Sequence, residues 1–154
     1  MKKSRAFPAI VSAGLIVGIL DITSAFVIWT LKGVVLTRGL QGMASPLVGQ
    51  QSFQGGLATA ALGLAIHFFI AFVVTTIFYV ASRKLIFLTQ HAVASGLLYG
   101  AAVYLFMYWL VLPLAFVKLR HSISNDVTAV IVHMTLIGLP IALIVRRYSR
   151  QATE

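Results

Sequence analysis

Four long apolar runs divide the chain, and each is long enough to cross a membrane as a helix. They extend over about 9–31, 57–81, 92–117 and 127–145. A hydrocarbon core of about 30 Å requires roughly 20 consecutive, mainly apolar residues in a helix. A membrane β-barrel needs segments of about ten residues that alternate in polarity, and these runs do not alternate. The runs predict an all-α polytopic membrane protein: a single domain over 1–154, with four transmembrane helices in a bundle.

The composition excludes a water-soluble domain. Hydrophobic residues make up 60% of the 154 residues and charged residues only 10%, whereas soluble domains have about a quarter charged residues. The net charge of +9 does not predict a nucleic-acid partner, because the basic residues lie in small groups between apolar runs. The lack of cysteine excludes disulfides, thiolate metal sites and cysteine nucleophiles.

Basic residues flank the apolar runs unequally, which predicts the topology. One side of the membrane receives Lys2, Lys3, Arg5, Arg83, Lys84, Arg146, Arg147 and Arg150. The other side receives Lys32, Arg38, Lys118 and Arg120. An excess of Lys and Arg in short flanking segments marks the cytoplasmic side. We therefore expect both termini in the cytoplasm.

The start of the chain also has features of a secretory signal peptide. It has a basic beginning followed by an apolar stretch, and in that interpretation Ala25 would be the cleavage residue. However, apolar residues continue from Phe26 to Leu31, and cleavage would remove Asp21. We expect this segment to be retained as the first transmembrane helix.

The connection between the first two runs has its own helical pattern. Leucine or methionine recurs at positions 36, 40, 43 and 47, in steps of four, three and four. This spacing predicts a short interfacial helix over about 36–48 on the outer side of the membrane. Pro46 and the pair Gly55 and Gly56 are expected to end it and turn the chain into the second run. An ordered loop packed on the bundle is the alternative.

Small residues recur at helical spacing within the runs and predict where the helices touch. Lipid supplies little hydrophobic force between helices, so close contact depends on residues that let backbones approach. Pro113 and Pro140 predict bends in the third and fourth helices. The glycines expected at helix contacts are Gly14, Gly18, Gly63, Gly96 and Gly100.

Polar and titratable side chains occur on these same helical stripes. Counted at about 1.5 Å per residue from the cytoplasmic ends, four of them lie roughly 18 to 21 Å deep. A charged side chain there costs at least about 2 to 3 kcal/mol, so each should face inward and have a partner. The predicted midplane polar site consists of Asp21, His67, Tyr104 and His133.

Each of these residues also has a purely structural explanation. His67 and His133 lie inside apolar runs, where a histidine often forms a hydrogen bond between helices. Asp21 could be satisfied by the neighbouring hydroxyls of Thr23 or Ser24. The agreement in depth across separate helices favours the functional interpretation.

Three segments resemble the YagU-like family of small uncharacterised bacterial inner-membrane proteins. They are HFFIAFVVTTIFY (67–79), GLLYGAAVYLFMYWLVLPL (96–114) and VHMTLIGLPIALIVRRY (132–148). The positions that match the family pattern are His67, Gly96, Gly100, Pro113 and His133. The long extracytoplasmic insert of the family's namesake is replaced here by LQGMASPLVGQQSFQGG (40–56). The resemblance implies a multi-pass protein of the bacterial inner membrane and implies no reaction.

Three classes of function are open at this point. The first is proton or small-solute handling through the Asp/His cluster, because such residues form relays in transporters. The second is metal or haem binding: Asp21, His67 and His133 have donor atoms that zinc or iron accepts, and two facing histidines can hold a haem. The third is a non-catalytic subunit or scaffold in the lipid bilayer, whose small-residue stripes and segment 36–48 bind a second copy of the chain or another membrane protein.

An enzyme is the least supported class. The sequence has no GxSxG, HExxH or Walker motif and no paired-carboxylate arrangement. No substrate is suggested by the residues that remain.

Overall fold

The described residues form four long helices, a shorter helix that connects the first two, and two short helical segments, Gly49–Gln54 and Phe87–Gln90. This computed structural model describes residues 6–115 and 122–150, with the side chain of Arg150 excepted. Four helices are long and apolar enough to cross a membrane, and we number them as spans in chain order. They are Ala6–Leu31, Gly56–Lys84, Ala92–Leu114 and Ile123–Ser149. The predicted all-α, four-helix architecture is confirmed.

The spans form a bundle around the fourth span and the first. The first span packs against the second and the fourth, the fourth also packs against the third, and the second touches the last part of the fourth. The third span meets the second where the Tyr99 hydroxyl donates to the Val74 carbonyl, at 2.6 Å. Between the spans lies an apolar core that includes Val17, Phe78 and Ile141.

Glycines bring the third and fourth spans into backbone contact. A Cβ atom added at Gly96 would lie 2.8 Å from the Gly138 carbonyl oxygen. One added at Gly100 would collide with the His133 carbonyl oxygen, and one at Gly138 with the carbonyl oxygen of Gly96. Only glycine fits at these positions without moving a backbone, so these contacts fix the two helices closely together.

The glycines of the first span are used differently. Cβ atoms added at Gly14 and Gly18 would lie 2.5 and 2.6 Å from the rings of Phe72 and Phe68, respectively. Here the missing side chains make room for aromatic rings of the second span and not for a second backbone. The same spacing of small residues therefore produces two kinds of helix contact.

The connecting helix extends over Leu36–Val48, where the sequence predicts a helix. Pro46 does not end it, contrary to the prediction. Proline lacks an N–H, so the Gly42 carbonyl loses its usual helical partner, but the Ser45 hydroxyl donates to that carbonyl at 2.7 Å. The helix ends at Gly49, whose φ of 75° favours glycine.

The connecting helix packs on the start of the second span. Gly63 contacts the backbone of the helix at Leu40, so a side chain at position 63 would collide with it. The Gln41 side-chain amide also donates to the Gly56 carbonyl at 3.0 Å. The connection is therefore both helical and packed on the bundle. Its location at the membrane interface stays a prediction.

Two spans contain wide π-helical turns, at Met107–Val111 and His133–Gly138. Each turn lies just before a proline, Pro113 or Pro140. A proline ring clashes with the carbonyl four residues earlier in a regular α-helix, and widening the preceding turn relieves this crowding. After Pro113 the chain becomes extended at Ala115, so the third span ends at Leu114, before the predicted residue 117.

The contact at Gly100 makes a prediction about stability. We expect Gly100→Ala to lower the free energy of unfolding by about 1 to 3 kcal/mol, because the added methyl group overpacks a backbone contact. Ala102→Val is the matched control, since Ala102 is exposed on the same helix. Equal unfolding curves of Gly100→Ala and the original protein in detergent micelles would contradict the described contact.

Candidate functional site

The first part of the candidate site is a pair between the first two spans. The Oδ2 atom of Asp21 lies 3.8 Å from Nδ1 of His67. This distance suits a charge pair but exceeds that of a direct hydrogen bond. The His67 side chain is 9% exposed and that of Asp21 is 26% exposed. The carboxylate is therefore the more accessible member of the pair.

The backbone of the first span determines which His67 nitrogen carries hydrogen. Nε2 of His67 lies 2.9 Å from the Gly18 carbonyl oxygen. A carbonyl oxygen can only accept a hydrogen bond, so Nε2 must be the N–H donor. In the neutral imidazole, Nδ1 is then left with a lone pair, and it is Nδ1 that faces Asp21.

The arrangement leaves room for one further proton between the carboxylate and Nδ1. An ionised carboxylate facing the lone pair of Nδ1 would place two acceptors together. A single added proton resolves the conflict, whether it resides on Asp21 or on His67, and leaves the pair neutral overall. Both forms avoid an isolated charge, which lipid penalises strongly.

The second part of the site is an aromatic cluster between the third and fourth spans. The His133 ring meets the Tyr104 and Tyr108 rings edge to face, at centroid distances of 5.8 and 5.9 Å. The two tyrosine rings are themselves 4.6 Å apart. His133 and Tyr104 are 8% and 6% exposed. Because the cluster is largely sealed from the surroundings, its polar atoms depend on partners within the bundle.

His133 has the opposite hydrogen placement to His67. Its Nδ1 lies 2.8 Å from the carbonyl oxygen of Ala129, one turn earlier in the same helix. Nδ1 must therefore donate, which leaves Nε2 of the neutral ring as the acceptor. Each histidine thus has one nitrogen fixed by the backbone and one that can exchange a proton.

The four predicted residues lie in two contacting pairs, Asp21 with His67 and Tyr104 with His133. The first span packs both on the second span, which carries His67, and on the fourth span, which carries His133. The two pairs are therefore carried by adjoining helices.

The neighbouring hydroxyls do not provide the predicted structural alternative for Asp21. Ser24 donates to the backbone carbonyl of Asp21, at 2.8 Å, and not to its carboxylate. Thr23 is exposed. The side chain of Asp21 instead lies toward His67.

The described part of the chain has no ligand set that would support the metal-binding alternative. Within 6–115 and 122–150, no group of three His, Asp or Glu side chains is placed to hold a metal ion. Among Asp21, His67 and His133, the one ion pair described joins Asp21 and His67. We therefore do not propose metal or haem chemistry for this site.

Sequence reasoning did not assign Tyr108 to the site, although its ring contacts those of both Tyr104 and His133. Tyr108 lies four residues after Tyr104 on one helical stripe, and this spacing could have indicated it.

Comparison with other proteins identifies no relative: no protein-family model, curated protein or solved structure matches the chain. The functional argument therefore depends on the geometry of the site.

The two histidines should differ in tautomer. We expect ¹⁵N NMR of the labelled protein in lipid to show a protonated Nε2 at His67 and a protonated Nδ1 at His133, as their carbonyl partners require. His67→Ala and His133→Ala assign the resonances, and the exposed His91 serves as an internal reference. The same tautomer at both buried positions would contradict the described hydrogen bonds.

Proposed function

We propose that this integral membrane protein handles protons through its intramembrane Asp/His cluster. The observation that carries the proposal is the Asp21 and His67 pair, in which a backbone carbonyl fixes Nε2 and leaves Nδ1 toward the carboxylate. Such a pair binds one proton without acquiring net charge. Asp and His residues inside membrane spans commonly serve as proton relays.

The neighbouring His133 supports transfer as well as binding. A proton that leaves the pair and reaches Nε2 of His133 leaves an anionic Asp21 and creates a cationic imidazole. Asp21 lies close enough to act electrostatically on that imidazole. The total charge of the cluster is unchanged, so lipid need not accommodate a new net charge during the step.

We further propose that both termini lie in the cytoplasm. Arg83 and Lys84 end the second span, and Arg146 and Arg147 lie near the end of the fourth. These ends lie on one side of the bundle, opposite to Lys32, which supports the positive-inside assignment. A bacterial inner membrane and membership of the YagU-like family belong to the same proposal, supported by the resemblance of the second, third and fourth spans.

Proton flux into liposomes tests the proposed function. The purified protein is reconstituted with a pH-sensitive dye inside the vesicles, and a pH step is applied with valinomycin and potassium to prevent charge build-up. We expect Asp21→Asn and His67→Ala each to lower the protein-dependent rate by about tenfold or more, as loss of a positioned proton-transfer group does.

His91→Ala is the matched control, because His91 is exposed at a span end and should leave the rate unchanged. Size-exclusion profiles and unfolding curves of all variants separate loss of flux from loss of folding. Equal flux in folded Asp21→Asn, folded His67→Ala and the original protein would reject the proposed function.

A further inference from the structure

An open cavity of about 440 Å³ lies where the third span begins and the fourth span nears its end. Polar side chains that line it include those of Gln90 and Arg146. Val93, Ala94 and Leu97 form an apolar wall along the first two turns of the third span. A cavity that is charged at one end and apolar along its side suits an amphipathic ligand.

Arg146 gives the cavity a fixed positive charge, and it is half-buried. The two acids of the described residues lie elsewhere: Asp21 is in the interior of the first span, and Asp126 is in the first turn of the fourth, at its other end. Arg83 and Lys84 add positive charge at the end of the second span, on the same side of the bundle. The guanidinium is therefore suited to pair with an anion from outside the described chain.

The backbone at the start of the third span adds polarity of the same sign. No side chain caps this helix start, so the N–H groups of its first turn keep a partial positive charge. Ala92, Val93 and Ala94 form that turn, and all three line the cavity. The helix start thus reinforces the charge of Arg146 inside one cavity.

The cavity lies at the level of the lipid headgroups when the spans cross a bilayer. The fourth span has 27 residues and is about 40 Å long at 1.5 Å per residue. This length exceeds a hydrocarbon core of about 30 Å, so the ends of the span reach the headgroup region. Arg146 lies three residues before the last residue of the span, Ser149. The phosphates of one leaflet therefore lie beside its guanidinium.

We propose that this cavity binds one anionic phospholipid from the leaflet on the side of both termini. The Arg146 guanidinium donates hydrogen bonds to the lipid phosphate, and an acyl chain lies along Val93 and Leu97. A zwitterionic lipid would bring a cation to an end of the bundle where no described acid can receive it, so a lipid of net negative charge is favoured. This inference does not depend on proton handling by the Asp/His cluster.

Native mass spectrometry of the full chain in detergent micelles tests the site. The probes are phosphatidylglycerol, which is anionic, and phosphatidylcholine, which is zwitterionic, with identical acyl chains. We expect phosphatidylglycerol to bind at one site about fivefold or more tightly than phosphatidylcholine, as one basic residue near anionic lipid provides. Arg146→Gln should abolish this preference.

Arg147→Gln is the matched control for charge. It removes the same charge from an exposed neighbour that does not line the cavity, so it should keep the preference for phosphatidylglycerol. An equal loss in both variants would show that the attraction is spread over the whole basic end, and this would overturn the proposed site. Equal binding of the two lipids by the original protein would overturn it as well.

A second variant tests the apolar wall without changing the charge. Ala94→Phe places a ring in the cavity and should weaken phosphatidylglycerol binding to the level of Arg146→Gln. Ala102→Phe is its control, because Ala102 is exposed on the same helix outside the cavity. Unfolding curves restrict the comparison to folded variants, and unchanged lipid binding by folded Ala94→Phe would contradict the proposal.

The same spectra distinguish the lipid from other occupants of the cavity. Displacement of bound phosphatidylglycerol by inorganic phosphate would show that the site takes a free anion. A protein dimer that is lost in Ala94→Phe would show that a second copy of the chain covers the cavity. Either result would overturn the assignment of a lipid.

Discussion

Close approach at glycine positions the titratable side chains of this bundle. Gly18 leaves room for the ring of Phe68, and its own carbonyl engages Nε2 of His67. Gly100 brings the third span against the backbone of His133, which places that ring beside the tyrosines. In lipid no water is present to solvate a misplaced polar group. The small residues therefore determine both which helices touch and which polar atoms find partners.

The sequence was sufficient to predict the parts of the fold that depend on length and period. The length of each apolar run predicts a span, and the steps among residues 36, 40, 43 and 47 predict the connecting helix. Run length and residue spacing did not predict the two π-helical turns. Met107–Val111 and His133–Gly138 lie in spans that are apolar on every side, so no polar face indicates that one residue has been added to a turn.

The candidate site could also be predicted only in part from the sequence. Asp21, His67 and His133 stand out because ionisable groups are rare in apolar runs. Tyr108 does not stand out, because aromatic residues are common near the ends of membrane spans. Tyr104 and His133 belong to different spans, and only the packing of the third span on the fourth shows that their rings meet.

The backbone fixes one hydrogen on each histidine of the cluster. His67 is fixed by a carbonyl of a different helix and His133 by a carbonyl of its own. Each ring therefore has one nitrogen that must keep its hydrogen and one that is able to bind and release a proton. At His67 the carbonyl belongs to another helix, so the packing of the first span on the second determines which nitrogen carries the hydrogen.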